Sequence, residues 1–473
     1  MAFSSLAFAG FFAVVFVVYW SIPWGRVRVA WLLLSSIFFY ASWSKELALL
    51  VTATSIMDYL LARAMEAYPA PRTRKIFLGL SLGINLGLLC YFKYVNFFLD
   101  ALRTSLDSIG CSQRIFALEI LVPFGISFYT FEAISYTIDV YRGRMKAEKN
   151  LVNFMLFILF FPHLVAGPIV RAWDFLPQVA RPKRLSWVRL SYGSQLFVLG
   201  LFKKLIISDR IAAYSDLIFE DPGKYSTQTI WLGAIAFAVR IYADFSGYSD
   251  MALGAAHCLH YKLTLNFRLP YISTNVSEFW RRWHISLSSW LRDYLFIPLG
   301  GSRGSTLQTC RNLMITMTLG GLWHGANWSF VLWGVAHGLF LSIHRIFRDW
   351  CDARPRIQSL LATAPGRLAG WGATMLCVVL AWSLFQPSLK VAATALKRMF
   401  VPSAGAQFPF SPVELYGTLA LLAVCHVFVN QNWWRPIWTR LPAPVIGCAC
   451  GVLALAAIFF SPLASKEFIY FQF

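Results

Sequence analysis

The segment 312–344 constrains the fold more than any other part of the chain, because no formal charge lies between Arg311 and Arg345. A straight helix of that length would measure ~50 Å, whereas the hydrocarbon core of a bilayer is only ~30 Å thick. The segment must therefore break, tilt or turn back. Paired glycines tolerate non-helical backbone and close packing of helices, so we predict a break between Gly320 and Gly325. His324 would then lie on an interruption at membrane depth, where an ionisable side chain indicates a functional site.

Composition indicates a polytopic membrane protein. Hydrophobic residues make up 58% of the 473 residues and charged residues 14%, and the mean hydropathy is +0.58, values that exclude an ordinary soluble enzyme. The net charge of +20 would suit a nucleic-acid-binding protein, but the basic residues stand in short blocks between apolar runs. Positive cytoplasmic loops explain that placement, so we expect membrane lipids as partners and no nucleic acid.

The alternation of apolar runs and basic loops predicts about ten or eleven transmembrane helices with one or two re-entrant or interfacial helices. The first run carries no positive charge before it, so we expect a retained span with its N-terminus outside rather than a secretory signal. The last predicted span covers residues 441–465. Two prolines in 151–170, followed by a basic loop, predict a re-entrant segment there. In the basic segment 262–311, the alternating cations and aromatic residues of 279–284 predict a helix at the headgroup level.

Metal and nucleotide sites have little support in the sequence. The nine cysteines are scattered, and the two tight groupings, at 448–450 and 257–260, have no second half at the spacing of metal ligands. We therefore predict no metal site. A glycine-rich phosphate loop is also missing from the sequence, so nucleotide-driven pumping is not expected.

Charged residues within the apolar runs suggest structural pairs. Arg240 and Asp244 stand four residues apart in the run 230–257, and we predict that they form an ion pair on one helix. His337 follows His324 by thirteen residues, which would place it ~140° around a continuous helix, so we expect His337 to serve packing.

Five short motifs then carry a resemblance to a known family. They are PFGISFY at 123–129, FPHLVAGP at 161–168, DFSGYSD at 244–250, FWRRWH at 279–284 and GLWHGA at 321–326. Together and in this order they resemble the membrane-bound O-acyltransferase (MBOAT) family, over residues ~1–345. The resemblance implies an all-α fold around a central tunnel, within one membrane domain over 1–473. N-terminal helices would cover 1–119, the catalytic core 120–348 and C-terminal helices 349–473.

The resemblance also implies transfer of an acyl group from a cytoplasmic thioester to an outward-facing acceptor. Such a transfer needs a base for the acceptor's hydroxyl proton, and a neutral imidazole can serve at physiological pH. We expect burial to keep His324 neutral, which makes it the candidate base. A core histidine bonded to a backbone carbonyl is the alternative.

His284 resembles the family's second polar position and is the other candidate catalytic residue. We predict that Arg281 and Arg282 hold the donor's phosphates while His284 orients the thioester. An ordinary aromatic and arginine anchor is the alternative for this motif. The remaining candidates for donor binding or tunnel lining are Trp283, His163, Trp323 and Asn327, although His163 would as readily cap a broken helix.

The resemblance further implies acetyl transfer across a bacterial inner membrane for O-acetylation of an exopolysaccharide such as alginate. Acetyl-CoA or another acyl thioester would be the donor substrate, with no tightly bound cofactor. A periplasmic partner protein would complete the transfer to the polysaccharide. Two alternatives remain open: transfer of D-alanine or another acyl group to a cell-wall polymer, and a transporter without covalent chemistry.

Overall fold

The computed structural model describes residues 1–111, 116–386, 388–408, 412–434, 436, 440–460, 468 and 469. Over these residues the chain is built of α-helices, with π-helical segments at Cys90–Tyr94, Lys203–Ser208 and Arg292–Phe296. Short 3-10 segments lie at Pro222–Lys224 and Pro270–Ile272. The β-structure of the described residues is a single isolated bridge between Tyr225 and Ala406. The predicted all-α class is confirmed.

The chain forms two compact units. Unit 1 comprises Met1–Phe197 and Ser249–Thr264, and unit 2 comprises Val198–Tyr248 and Leu265–Phe473. Helices α10 (Trp187–Phe202) and α12 (Thr227–Cys258) contribute residues to both units. The expectation of one membrane domain around a central tunnel stays a prediction.

Unit 1 contains the helices that precede α10. They are α1 (Leu6–Ser21), α2 (Gly25–Ala41), α3 (Lys45–Ala67), α4 (Pro71–Leu89), α5 (Val95–Ser108), α6 (Ile126–Tyr141), α7 (Leu151–Leu159), α8 (Phe161–Leu164) and α9 (Ala172–Ala180). A buried carboxylate joins α3 to α4, since Asp58 accepts hydrogen bonds from the Ser81 hydroxyl at 2.6 Å and from the Asn85 amide at 2.9 Å. Unpaired, that carboxylate would be costly to bury, so these bonds fix how the two helices pack.

Unit 2 contains α11 and the helices that follow α12. They are α11 (Asp209–Glu220), α13 (Val276–Arg282), α14 (Ile285–Leu291), α15 (Thr306–His324), α16 (Trp328–Asp352), α17 (Pro355–Ala362), α18 (Ala364–Leu384), α19 (Leu389–Phe400), α20 (Val413–Asn430) and α21 (Ala443–Phe459).

Six helical stretches of the described chain are long and apolar enough to cross a membrane. They are Lys45–Ala67, Pro71–Ser108, Thr227–Cys258, Trp328–Asp352, Ala364–Leu384 and Val413–Asn430. Large apolar side chains such as Val17, Leu34 and Phe38 are exposed, as they are where a helix faces lipid. The chain is thus a multi-pass membrane protein, while the total of ten or eleven spans stays a prediction. Of the predicted last span, residues 461–465 lie outside the described residues.

Both predicted helix breaks are present. Helix α7 ends at Leu159 and the one-turn α8 follows after Phe160, whose extended ψ of 109° interrupts the helix just before Pro162. In the central segment α15 ends at His324, and α16 begins after Asn327. The membrane path of the first segment, predicted to be re-entrant, stays a prediction.

Helices α15 and α16 form an antiparallel hairpin with close backbone contact. A Cβ atom on Gly321 would lie 2.2 Å from the Phe330 carbonyl oxygen, and one on Gly334 would lie 2.3 Å from that of Met317. Real Cβ atoms do not approach so closely, so only glycine fits at these two positions. Gly321 therefore lies inside α15 and allows the close packing, while the break itself falls at residues 325–327.

The predicted ion pair between Arg240 and Asp244 is wrong. Arg240 pairs instead with Asp216 on α11. Asp244 pairs with Lys204 at 2.8 Å, and Lys204 also reaches Asp209 at 2.9 Å. All three members of this second network are buried, so the π-helical segment that carries Lys204 supplies the charge that Asp244 needs.

Candidate active site

His324 ends helix α15 inside a cage of aromatic rings. Its ring centroid lies 5.0 Å from those of Trp323 and Trp333 and 5.3 Å from that of Phe385. The residue is only 5% exposed. The imidazole therefore lies in a largely aromatic, apolar environment.

His284 joins α13 to α14 and is fully buried, with 0% exposure. Its backbone has a φ of +42°, in the left-handed region that non-glycine residues seldom adopt. Its ring meets Phe245 edge-on at 4.6 Å. Burial lowers the pKa of His284 to about 3, so this imidazole is neutral at physiological pH.

Trp323 connects the two predicted catalytic histidines. Its ring centroid lies 6.1 Å from that of His284 and 5.0 Å from that of His324. The sequence motifs at 279–284 and 321–326 are therefore brought to one aromatic cluster, which is what a shared site requires.

The arginines before His284 have different surroundings. Arg282 is half-buried, pairs with Glu278 at 2.9 Å and donates to the Arg268 carbonyl at 3.1 Å. Arg281 is exposed and donates to the Ser277 hydroxyl at 3.1 Å. Since Arg282 already neutralises a carboxylate, Arg281 is the better placed of the two to meet a donor's phosphates.

Helix α13 (Val276–Arg282) covers most of the motif at 279–284, and the predicted headgroup-level position of this helix stays a prediction. Phe279, Trp280 and Trp283 are all buried. Trp283 stacks on Phe279 at 5.5 Å and lies 5.0 Å from Trp382. These rings therefore belong to the protein core, while Arg282 and Glu278 pair at its edge, where both are partly exposed.

Asn327 begins α16 as its cap. Its side-chain oxygen accepts from the Ser329 backbone N–H at 3.0 Å and from the Ser329 hydroxyl at 3.1 Å. Bonds of this kind satisfy the free donors at a helix start. The residue therefore helps to define the turn that follows His324, and its predicted role in donor binding stays a prediction.

His163 belongs to unit 1, where α8 carries it. Its Nδ1 lies 3.2 Å from the Glu132 carboxylate, and both side chains are buried. The Val170 backbone N–H also donates to Glu132, at 2.8 Å. This pair could not be predicted from the sequence, since α6 carries Glu132 and α8 carries His163. Its predicted role in donor binding or tunnel lining stays a prediction.

Trp333, Phe385 and the position of His337 near His324 were not predicted from the sequence motifs. The ring of Trp333 lies 5.0 Å from His324 and 4.6 Å from His337. His337 accepts a hydrogen bond on Nδ1 from the Trp280 indole at 3.3 Å. The angle of ~140° assumed one continuous helix, whereas the hairpin turn brings α16 back along α15. A hairpin reading of the glycine pattern would have found these residues.

A cluster of metal-ligating side chains is not found in the part of the chain that the structure describes. No three His, Cys, Asp or Glu side chains of those residues group as metal ligands would. The histidines of the site face aromatic rings instead.

The described chain is thus a helical, multi-pass membrane protein in which two buried histidines share one aromatic cluster. Residues 85–380 match the model of the membrane-bound O-acyltransferase family. A probable alginate O-acetylase of Pseudomonas aeruginosa is 40% identical over 453 residues, which cover 93% of this chain and 84% of that protein. The chain therefore belongs to the MBOAT family and is an O-acyltransferase.

Two other relatives have names that state different activities. A peptidoglycan O-acetyltransferase of Helicobacter pylori is 35% identical over 78% of this chain and 73% of its own length. A teichoic acid D-alanyltransferase of Bacillus subtilis is 28% identical over 48% of this chain and 60% of its own length. The first two relatives share acetyl transfer in their names, and the third transfers a different acyl group.

Proposed function

We propose that this protein transfers acetyl groups from a cytoplasmic thioester, such as acetyl-CoA, for O-acetylation of an exopolysaccharide of the alginate type. The observation that carries the proposal is the cluster of His284, Trp323 and His324, with the names of the relatives that cover most of the chain in support. The transporter interpretation is dropped, because the chain belongs to a family of acyltransferases.

The proposed reaction uses His324 as a general base. The acceptor hydroxyl oxygen attacks the thioester carbonyl carbon, and its proton passes to the neutral imidazole. The carbon–sulfur bond then breaks, and the leaving thiolate takes the proton from the imidazolium. An ester and a free thiol result, and His324 returns to its neutral form. The aromatic cage supports this role, because it keeps water away from the reacting carbonyl.

His284 is proposed to orient the donor rather than to move a proton. Its burial holds it neutral, and its fixed left-handed backbone restricts where the ring can point. Arg281, which is exposed, would meet the phosphates of the donor. No tightly bound cofactor is needed for any of these steps.

The acceptor is inferred from the names of the relatives. A polysaccharide outside the bacterial inner membrane would receive the acetyl group, with a periplasmic partner protein completing the transfer. The alternative is transfer of D-alanine to a cell-wall polymer, which the more distant relative supports.

Labelled donors separate these functions. Membrane vesicles that contain the protein are supplied with acetyl-CoA labelled in the acetyl group, or with a D-alanyl carrier protein labelled in the alanyl group. We expect acetyl label to reach a hydroxyl acceptor and alanyl label not to do so. Transfer of alanyl label alone would replace the acetyl assignment, and movement of intact donor across the membrane without ester formation would contradict both.

A further inference from the structure

A basic pocket in unit 1 lies apart from the histidines of unit 2 in sequence and has no role in the proposed reaction. Its volume is about 470 Å³. The end of α1, the start of α2, helix α7 and the chain that follows α9 line it. The cationic lining residues are Arg26, Arg28, Arg181 and Lys183.

Two of the four cations of this pocket, Arg28 and Lys183, donate to carbonyl oxygens. Arg28 donates to the carbonyls of Ile22 at 2.5 Å and Lys183 at 2.9 Å, and Lys183 Nζ donates to the His260 carbonyl at 3.1 Å. None of the residues that line the pocket is acidic. Carbonyls orient a cation without cancelling its charge, so the pocket keeps a positive field.

The neighbouring charges strengthen that field. Burial, followed by the like charges of Arg189 and Arg181, lowers the pKa of Lys183 to about 8. Burial, then Arg189 and Lys183, also lowers the pKa of His260. Burial is the larger cause of both shifts and the cationic neighbours add to it, so an anion bound among these groups would favour their charged forms.

Aromatic rings hold the cations in place before any ligand arrives. Lys183 Nζ lies 4.2 Å from the ring centroid of Tyr261, and the Arg28 guanidinium lies 5.5 Å from that of Tyr19 and 5.2 Å from that of Trp20. Cation–π contacts at these distances restrict the long side chains, so less entropy is lost when they bind an anion.

The sequence around the pocket's cations is apolar and exposed. Trp24 and Val27 flank Arg26 and are 69% and 47% exposed, while Trp187 and Val188 follow the cationic loop and are 75% and 80% exposed. Exposed tryptophans beside cations are typical of the level where lipid headgroups meet hydrocarbon. A ligand with both a phosphate and acyl chains matches this combination.

We propose that this pocket binds the phosphate of an anionic phospholipid at the membrane surface, with its acyl chains against the exposed apolar residues. Arg26 and Arg181 are the two exposed cations that would meet the phosphate first, and Arg28 and Lys183 form the ordered inner part of the site. The proposal does not depend on the acyl group or the polymer that the enzyme uses.

Ligand-induced stabilisation tests the pocket. The purified protein in detergent is titrated with phosphatidylglycerol, phosphatidylcholine, pyrophosphate or coenzyme A, and its thermal unfolding is followed. We expect phosphatidylglycerol to raise the Tm and the other three additions to do so weakly or not at all. Stabilisation by pyrophosphate or coenzyme A equal to that by phosphatidylglycerol would show a site for soluble phosphates and overturn the lipid assignment.

Matched charge variants locate the effect. Arg26→Gln/Arg181→Gln removes two exposed pocket cations, and Arg72→Gln/Lys75→Gln removes two cations at the start of α4, so the net charge changes equally. We expect the pocket variant to need at least about tenfold more phosphatidylglycerol for half of the Tm shift, since two charge-assisted contacts are lost. Lys183→Gln, which removes a cation of the inner part of the pocket, should also weaken the Tm shift produced by phosphatidylglycerol. An equal response of the pocket and control variants would overturn the proposal.

Discussion

At the scale of single residues, the two histidines differ in how the protein holds them. His324 follows an ordinary helix and meets three aromatic rings, while His284 stands in a left-handed conformation between two short helices. A neutral buried histidine also has a cost at low pH, because the unfolded chain binds a proton that the folded chain excludes. The free energy of unfolding should record that difference.

His284 predicts a pH-dependent stability. Its folded pKa of about 3 lies below the value of about 6.5 expected when unfolded, so its contribution is fully present above pH 6.5 and is lost as the pH falls towards 3. Between pH 7 and pH 5 the loss should be about 2 kcal/mol. His284→Asn keeps a residue that tolerates the left-handed backbone and removes the titrating group.

The measurement is thermal unfolding of wild type and His284→Asn in detergent at pH 7 and pH 5. We expect the Tm of the wild type to fall more than that of the variant over this range. Parallel changes in the two proteins would show that His284 does not titrate as its burial implies.

The two arginines of the same motif predict opposite effects on binding and stability. Arg281→Gln should raise the KM for the thioester donor with little change in Tm, because the side chain is exposed. Arg282→Gln should cost about 1 kcal/mol of stability, because it breaks the pair with Glu278 and the bond to the Arg268 carbonyl. Kinetics over a range of donor concentrations, with Tm measured on the same samples, separates the two. An unchanged KM in Arg281→Gln would remove this arginine from the donor site.

At the scale of elements, the hairpin of α15 and α16 determines the geometry around His324. Gly321 and Gly334 allow the two backbones to touch, and Trp333 lies just before Gly334 on α16. A side chain at this contact would move the helices apart and separate Trp333 from His324. Stability and activity should therefore fall together.

Gly334→Ala tests that contact, since its Cβ would lie 2.3 Å from the Met317 carbonyl oxygen. We expect the free energy of unfolding to fall by about 1–3 kcal/mol and the rate of acetyl transfer to fall with it. Gly372→Ala on α18 is the matched control, because a Cβ there meets nothing within 4 Å. That control should leave stability unchanged or raise it by up to ~1 kcal/mol. Equal Tm values for the two variants would mean that the hairpin accommodates a methyl group and that the close contact is not required.

The same hairpin shows what a sequence can and cannot predict. The break after His324 follows from the glycines and the excess length, and the break before Pro162 follows from proline chemistry. The partner of Asp244 could not be predicted, because Lys204 comes from another segment of the chain. The contact of His337 with Trp333 could not be predicted for a similar reason, since it depends on the turn at 325–327 and not on helical periodicity. The expected packing role of His337 stays a prediction.

At the scale of the whole molecule, composition was sufficient to predict a membrane protein, and the ordered motifs were sufficient to predict the family. Burial of the aromatic residues at 279–284 was not predictable, because alternating rings and cations also suit a headgroup-level helix. In the structure Trp283 packs against Phe279 of its own motif and against Trp382, which comes from a separate segment of the chain. His163 and its partner Glu132 lie in unit 1, whereas both candidate catalytic histidines lie in unit 2.

The most direct test of the account is the rate of acetyl transfer with and without the His324 imidazole. Wild type, His324→Gln and the control His344→Gln, which changes a histidine near the far end of α16, are compared in vesicles at matched protein level and Tm. We predict that His324→Gln lowers the rate of acetyl transfer at least about 100-fold, as expected for removal of a general base. His344→Gln should keep a rate near that of the wild type. Transfer by His324→Gln at the wild-type rate would contradict the assignment of His324 as the base.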